Sequence, residues 1–177
     1  PHTMNGEQLI THILRAKVDL LWNGGIGTYV KSSSESNPDV NDSANDRVRI
    51  NANELRARVV GEGGNLGFTQ RARVEFAKLG GRINTDAIDN SGGVDLSDHE
   101  VNLKLLFARL MTEGKITFEA RNALLKEMAS EVIETVLTHN RSHALTLSLA
   151  VIRSRRNIDY LKSLMKEMSK LGYLQRA

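Results

Sequence analysis

Three loops rich in glycine and asparagine are the parts of this sequence best suited to bind a ligand. They span residues 22–28, 61–65 and 86–94, and each follows a short predicted strand. Glycine lets the backbone approach a bound molecule closely, and asparagine offers both a donor and an acceptor for a carboxamide or a ribose hydroxyl. Ligands of open parallel sheets bind beyond the carboxyl ends of the strands, so we expect these loops to meet at one ligand-binding edge.

The second loop has part of the pattern of a dinucleotide pyrophosphate loop. Gly61, Gly63 and Gly67 lie between a predicted strand and a predicted helix. Leu66, however, occupies the position of the third glycine in G-x-G-x-x-G, and no Gly-Lys-Ser/Thr follows to make a Walker phosphate loop. A structural turn is therefore the favoured interpretation of this loop, with phosphate binding as the alternative.

Five residues in and beside the third loop raise the question of a metal site, namely Asp86, Asp89, Asp95, Asp98 and His99. Asp95 and His99 are four residues apart and would share one face of a helix. The simpler interpretation is that Asp95 or Ser97 caps a helix that starts at this point, so we predict no metal site. The chain contains no cysteine, which excludes disulfides, thiolate zinc ligands and cysteine nucleophiles.

The composition is that of a folded domain without membrane segments. The 177 residues are 40% hydrophobic and 25% charged, close to the globular average. Apolar runs fall far short of the roughly 20 residues of a membrane helix, and we find no secretory signal, so we expect a cytoplasmic protein. The one dense basic run, 153–156, lacks interleaved aromatic readers. We therefore predict a solvated turn at 153–156 and no binding of nucleic acid or membrane.

The elements that must position the loops follow from hydrophobic periodicity. In chain order they are a helix over 6–17 capped by Asn5, a buried strand over 18–22, a long polar and partly mobile surface loop over 31–46, a helical turn over 51–55, a strand over 57–60, a helix over 68–79, a strand over 82–85 and the third loop. Such an order predicts parallel strands that are joined by right-handed crossovers.

Only helical patterns follow the third loop. Apolar residues recur at helical spacing over 103–110, Gly114 ends that helix, and Thr117 caps the next one. We predict separate helices over 144–153 and 158–171 further along the chain. The predicted fold class is therefore α/β, with a partial Rossmann-like parallel sheet of about three short strands followed by an all-helical segment.

Three segments, taken together, resemble the large bacterial NAD-specific glutamate dehydrogenases. They are VDLLWNGGIGTYV at 18–30, GEGGNLGFTQ at 61–70 and NTDAIDNSGGVDLSDHE at 84–100. The resemblance covers most of residues 5–110, and enzymes of this family are many times longer than this chain. The start Pro1-His2-Thr3-Met4 is also unlike a natural translation start. We therefore expect an excised piece of a longer enzyme, from the C-terminal part of its catalytic region.

The resemblance also implies a division of the chain and a set of site residues. Residues 1–98 correspond to the C-terminal part of a Rossmann-like NAD-binding domain, and 99–177 to a helical segment. The implied cofactor-binding residues are Gly24, Gly25, Asn65 and Asn90, and the implied substrate-binding residues are Asn90, Val94 and Ser97. A hydroxyl at a helix N-terminus, where we place Ser97, suits the side-chain carboxylate of glutamate.

For the longer enzyme, the resemblance implies an oxidoreductase that uses NAD to deaminate L-glutamate to 2-oxoglutarate and ammonia. It also implies a cytoplasmic homo-oligomer that acts in glutamate catabolism. The family's catalytic lysine and aspartate precede the region that this chain resembles, so we expect no catalytic residue in the chain. Hydride transfer needs cofactor and substrate in near-attack geometry, so we predict that the isolated chain is inactive. Two alternatives remain open: a helical interaction module with purely structural loops, and another amino-acid dehydrogenase of the same fold.

Overall fold

A computed structural model of the chain describes residues 3–175. Its contacts separate two compact units, one that ends at Val136 and one that begins at Leu137. The division predicted between residues 98 and 99 does not coincide with this boundary. The assignment of residues 1–98 to an NAD-binding domain stays a prediction.

Two small parallel sheets form the β-structure of the first unit. The strands are β1 Leu20–Asn23, β2 Val30–Lys31, β3 Ile50–Asn51, β4 Val59–Glu62 and β5 Arg82–Ile83. β4 lies between β1 and β5 in a three-stranded sheet, and β2 pairs with β3 in the other sheet. The parallel pairing of the three strands and the helices that follow confirm the predicted fold class.

Several helix ends lie where local signals predict, although the first helix stops at Leu14, before the predicted end at 17. Within residues 3–175 the helices are α1 Gly6–Leu14, α2 Asn37–Val40, α3 Gln70–Lys78, α4 Asp86–Asp89, α5 Ser91–Thr112, α6 Phe118–Arg156 and α7 Ile158–Lys170. The predicted caps Asn5 and Thr117 are confirmed, because each side chain accepts a backbone N–H three residues further on, at 2.8 and 3.2 Å. Gly114 and Gly172 follow the ends of α5 and α7 with φ angles of 65° and 80°.

The core of the first unit is a cluster of buried apolar side chains. Its members are Val30, Ile50, Ala52, Val60, Phe68, Ala72 and Phe76. They come from β2, β3, β4, α3 and the segments beside them, so both sheets and the helix share one core. Burial of this apolar surface therefore holds both sheets and α3 together.

The first strand is less buried than predicted. Leu20 and Trp22 are 55% and 60% exposed, so the prediction of a buried strand over 18–22 was wrong in this respect. Side chains alternate across a sheet, and Leu21 packs against the core cluster while its two neighbours turn to the other face.

The polar stretch 31–46 is more ordered than predicted. It contains α2 and a short 3₁₀ turn, and the fully buried side chain of Arg49 anchors it. Arg49 donates from Nε to the carbonyl of Thr28 at 2.8 Å and pairs with Asp42 at 3.5 Å. Asp42 in turn accepts the backbone N–H of Thr28 at 2.8 Å. These bonds join residues up to 21 positions apart, which the composition of the stretch does not reveal.

Asp42 should make the stability of the chain depend on pH in acid. The pKa of Asp42 lies below its ordinary value because the carboxylate accepts bonds from the Thr28 N–H, Asn45 and Arg49. A carboxyl with a lowered folded-state pKa stabilises above its unfolded pKa and loses this contribution as the pH falls through the folded value. We expect urea denaturation to show Asp42→Asn less stable than the wild type at about pH 7, with the difference shrinking below about pH 4. A difference that does not change with pH would contradict this.

The third loop is helical, so the prediction of an irregular loop over 86–94 was wrong. α4 comes first, and α5 begins at Ser91 with Asn90 as its N-cap residue. The carboxylates of Asp86 and Asp89, at the two ends of α4, accept backbone N–H groups from β4 and the loop after it. These tertiary bonds stabilise the helical turns, although the Asp, Asn and Gly residues of the segment individually disfavour helix.

The C-terminal part is helical as predicted but has fewer breaks. α6 is one continuous helix of 39 residues, so the predictions of a separate helix over 144–153 and of a turn at 153–156 were wrong. Residues 137–152 contain no glycine or proline that would end a helix. The basic run lies in the last turn of α6, where cations interact favourably with the helix dipole. Within residues 3–175, no helix is long and apolar enough to cross a membrane.

Candidate functional site

The first and second loops meet backbone to backbone at the carboxyl ends of β1 and β4. The carbonyl of Asn23 accepts the N–H groups of Gly63 and Gly64 at 2.8 and 3.0 Å. A Cβ placed on Gly64 would lie only 2.3 Å from the carbonyl oxygen of Gly25. Glycine at position 64 is therefore what lets the two loops touch, and it brings Gly24 and Gly25 beside the second loop.

The second and third loops are joined by the two asparagines that the resemblance implies for the cofactor. Asn90 donates from Nδ2 to Oδ1 of Asn65 at 3.2 Å. Asn65 is exposed and Asn90 is half-buried, while Gly24 and Gly25 are exposed. The four positions therefore lie in loops that meet at one edge of the sheet and can be reached from solvent. Their role in binding stays a prediction.

Two glycines of the second loop make room for an aromatic ring. A Cβ on Gly61 or on Gly63 would lie 2.5 Å from an atom of the Trp22 indole ring. Real Cβ atoms do not approach so closely, so a side chain at either position would displace the ring. This packing is a structural reason for two of the three glycines in the incomplete pyrophosphate pattern.

A buried ion pair lies beneath the second loop. Glu62, the last residue of β4, is completely buried, and Arg73 of α3 bonds both of its carboxylate oxygens at 2.7 and 3.0 Å. Arg73 also reaches Oδ1 of Asp86 at 3.1 Å. Burial alone would lower the pKa of Arg73, but the hydrogen bonds and charges of Glu62 and the charge of Asp86 raise that pKa above its ordinary value. The guanidinium is therefore a permanent cation inside the fold.

Sequence reasoning missed the ion pair of Glu62 and Arg73, and it considered Asp86 only as one of several carboxylates near the third loop. The available signal was a glutamate at the end of an apolar strand, because a buried carboxylate requires a cationic or hydrogen-bonding partner. The partner itself could not be identified, since Arg73 is one of several arginines on either side of the second loop.

Val94 and Ser97 lie on α5, but not at its N-terminus. α5 begins at Ser91, so Ser97 is in the second turn, and the prediction that Asp95 or Ser97 caps the helix was wrong. The helix starts earlier because the N–H groups that follow Asn90 already bond to its carbonyl. Asn90, Val94 and Ser97 are spaced i, i+4, i+7 and therefore share one face of the helix.

An apolar cavity lies between α1 and the sheet, and the first residues of the first loop, Trp22 and Asn23, reach it. Its volume is about 230 Å³, and it is lined by Ile10, Ile13, Leu14, Leu21, Trp22, Asn23, Tyr29 and Phe68. Such a lining offers few hydrogen-bond partners, whereas the ribose and carboxamide groups of a dinucleotide need several. The loop edge is therefore the better candidate site.

Parallel strands whose glycine- and asparagine-rich loops converge at their carboxyl ends define a class of protein. It is the class of α/β proteins built on an open parallel sheet, whose ligands generally bind beyond the carboxyl ends of the strands. Within that class, residues 1–150 match the family described as bacterial NAD-glutamate dehydrogenase, catalytic domain. The chain belongs to this family, which confirms the resemblance drawn from the three sequence segments.

Relatives of this chain are much longer proteins. The NAD-specific glutamate dehydrogenase of Pseudomonas aeruginosa is 55% identical over 170 residues, which are 96% of this chain but 10% of that relative. The enzyme of the same name from Halomonas elongata is 50% identical over 173 residues, 98% of this chain and 11% of the relative. That of Mycobacterium tuberculosis is 61% identical over 132 residues, 75% of this chain and 8% of the relative.

Proposed function

We propose that the chain is a segment of a longer NAD-dependent glutamate dehydrogenase and contributes to its cofactor and substrate site. The supporting observation is the hydrogen bond between Asn65 and Asn90, which joins two loops at the carboxyl edge of the sheet. The relatives are named NAD-specific glutamate dehydrogenases, and the chain spans 10% and 11% of the first two. The reaction of the longer enzyme is then the oxidative deamination of L-glutamate to 2-oxoglutarate and ammonia.

Gly24, Gly25, Asn65 and Asn90 form the proposed cofactor side of the site. A side-chain amide has two N–H donors and two acceptor lone pairs, so the bond between the asparagines orients both amides without using all of their capacity. The remaining groups suit a carboxamide or ribose hydroxyls, and the exposed glycines allow a close approach to the backbone. NAD, when bound, supplies the ring carbon that accepts the hydride.

Asn90, Val94 and Ser97 form the proposed substrate side, along one face of α5. The Ser97 hydroxyl is exposed and can donate to the side-chain carboxylate of glutamate. Val94 is 58% exposed and offers an apolar surface to the methylene groups of the substrate. Asn90 stands at the start of the helix, beside Asn65, and so would face both cofactor and substrate.

The remaining parts of the proposal concern the longer enzyme. Its catalytic lysine and aspartate would come from other segments, so the isolated chain would be inactive. The three-stranded sheet would belong to a larger Rossmann-like domain, with residues 1–98 as its C-terminal part. The enzyme would act as a cytoplasmic homo-oligomer in glutamate catabolism.

Alanine variants of the longer enzyme test the proposed site. Loss of a hydrogen bond to a charged group costs about 1.5–3 kcal/mol, which corresponds to a roughly 10- to 150-fold change. We expect Ser97→Ala to raise KM for glutamate by such a factor while the dissociation constant of NAD is unchanged. We expect Asn90→Ala to weaken NAD binding and to lower kcat/KM for glutamate. Steady-state kinetics and calorimetry with NAD measure these effects.

Ser148→Ala is a matched control for Ser97→Ala. The Ser148 hydroxyl lies on α6 and donates to the backbone carbonyl of Ala144 at 2.9 Å, so its loss should leave both constants at wild-type values. If Asn90→Ala and Ser97→Ala also behave like the wild type, the loops are structural, as in the interaction-module alternative.

A further inference from the structure

We infer that Asp86 is a positioning residue, which holds Asn65 at the ligand-binding edge by fixing the backbone of Leu66. The inference rests on the proposed role of Asn65 in NAD binding. Asp86 is not itself placed in contact with cofactor or substrate, and it would act only through the second loop.

Leu66 has a backbone conformation that its own side chain does not favour. Its φ angle is 58°, and within residues 3–175 the one other non-glycine residue with positive φ is Asn41. Asparagine adopts this conformation readily, whereas leucine does so only under constraint. The side chain of Leu66 is 65% exposed, so apolar packing does not supply that constraint.

Two hydrogen bonds to the backbone of Leu66 supply the constraint. Its N–H donates to Oδ2 of Asp86 at 2.7 Å, and its carbonyl accepts from the hydroxyl of Thr28, also at 2.7 Å. The bond to Asp86 has an ionised acceptor and is therefore the stronger of the two. Asn65 precedes Leu66 directly, so the peptide that Asp86 fixes is the one that carries Asn65 into the site.

The carboxylate of Asp86 is itself held in place from the protein interior. Its Oδ1 accepts from Arg73 at 3.1 Å and from the backbone N–H of Ala87 at 3.0 Å. Arg73 is locked by its two bonds to the buried Glu62. Glu62, Arg73 and Asp86 therefore connect the second loop to the core and fix its orientation.

The same short helix also sets the position of the other asparagine. α4 starts at Asp86 and ends at Asp89, whose Oδ2 accepts the backbone N–H of Glu62 at 2.9 Å. Asn90 follows directly as the N-cap residue of α5. α4 is therefore tied at both ends to β4 and its loop, and these ties set the 3.2 Å distance between Asn65 and Asn90.

An amide at position 86 cannot replace the carboxylate. Asp86 accepts from three N–H groups on its two oxygens, those of Leu66, Ala87 and Arg73. Asparagine would turn an NH₂ group toward one side and could not accept there. The side that faces Arg73 and Ala87 has two donors, so the amide oxygen should turn there and its NH₂ toward Leu66. Asp86→Asn should therefore release the Leu66 N–H while keeping the size and shape of the side chain.

A double-mutant cycle in the longer enzyme tests whether Asp86 acts through Asn65. The variants are Asp86→Asn, Asn65→Ala and the two combined, and the measured quantity is the dissociation constant of NAD by calorimetry. We expect about tenfold weaker binding for Asp86→Asn and at least as large an effect for Asn65→Ala. We expect the double variant to bind NAD no more weakly than Asn65→Ala alone.

Glu54→Gln is the matched control for Asp86→Asn. Glu54 also accepts from an arginine, Arg15 at 2.7 Å, and from a backbone N–H, that of Asn51 at 2.8 Å. It precedes β4 and so lies at the opposite end of that strand from the candidate site. Its replacement should leave the dissociation constant of NAD at the wild-type value.

Hydrogen–deuterium exchange of the same variants gives a reading that does not depend on NAD. The peptide that contains Leu66 should exchange at least about tenfold faster in Asp86→Asn and at the wild-type rate in Glu54→Gln. The α3 peptide should exchange at the wild-type rate in both variants, which shows that the fold is intact. Unchanged exchange at Leu66 in Asp86→Asn would overturn the inference.

The cycle separates failure of the inference from failure of the proposed function. If Asn65→Ala weakens NAD binding but Asp86→Asn does not, only the inference is overturned. The inference is also overturned if the losses of NAD binding in Asp86→Asn and Asn65→Ala add in full in the double variant, because Asp86 would then not act through Asn65. If Asn65→Ala binds NAD like the wild type, the proposed role of Asn65 is overturned, and the inference is overturned with it.

Discussion

Replacement of Arg73 by methionine is expected to lower the free energy of unfolding by about 3–5 kcal/mol. Glu62 is 0% exposed, and Arg73 is the residue that bonds both of its carboxylate oxygens. Without the guanidinium, Glu62 would be a buried carboxylate that lacks its cationic partner, and this costs free energy. Urea denaturation of the 177-residue chain, followed by circular dichroism at about pH 7, measures the difference.

Two further variants show whether the lost pairing is the cause. Arg58→Met removes a surface arginine that is 80% exposed beside Asp19, so its effect should stay within about 0.5 kcal/mol. Combining Arg73→Met with Glu62→Gln removes the buried charge as well, and should restore part of the lost stability. If Arg73→Met were as stable as Arg58→Met, the buried pair would not be important for the fold.

Local signals in the sequence predicted much of the fold. The caps at Asn5 and Thr117, the end of α5 near Gly114 and the strands β1, β4 and β5 all depend on residues close together in the chain. The two-residue strands β2 and β3 were not predicted. The errors lie where bonds span long distances in sequence. Arg49 orders the polar stretch through a carbonyl 21 positions away, and Asp86 binds a backbone N–H 20 positions away. Composition cannot show such pairings, because each partner also occurs in ordinary loops.

Some residues of the candidate site could also be predicted from the sequence, and others could not. The resemblance identified Asn65 and Asn90, and the structure brings them within hydrogen-bond distance although 25 positions separate them. It also identified Ser97, but the assumed position at a helix N-terminus was wrong, because α5 begins six residues earlier, at Ser91. The groups that hold the loops, Asp86 above all, do not stand out in sequence, since their function depends on which backbone groups they reach.

Gly64→Ala is expected to reduce NAD-dependent glutamate turnover by the longer enzyme about 100-fold. The new methyl group would lie 2.3, 3.1 and 3.4 Å from the O, C and N atoms of Gly25. All three are backbone atoms, so rotation of a side chain cannot relieve the contact, and the first and second loops must move apart. A displacement of about 1 Å at a reacting site costs roughly this factor in rate. Steady-state measurement of kcat/KM with NAD and glutamate tests the expectation.

Gly6→Ala makes the same chemical change where nothing lies within 4 Å of the new methyl group, so turnover should stay at the wild-type level. In Gly64→Ala the loops must separate, and in Gly6→Ala they need not. Comparison of the two variants therefore measures the effect on turnover of the spacing between Gly25 and the second loop. Wild-type turnover in Gly64→Ala would mean that the loops can part without consequence. The contact would then be a feature of packing that turnover does not require.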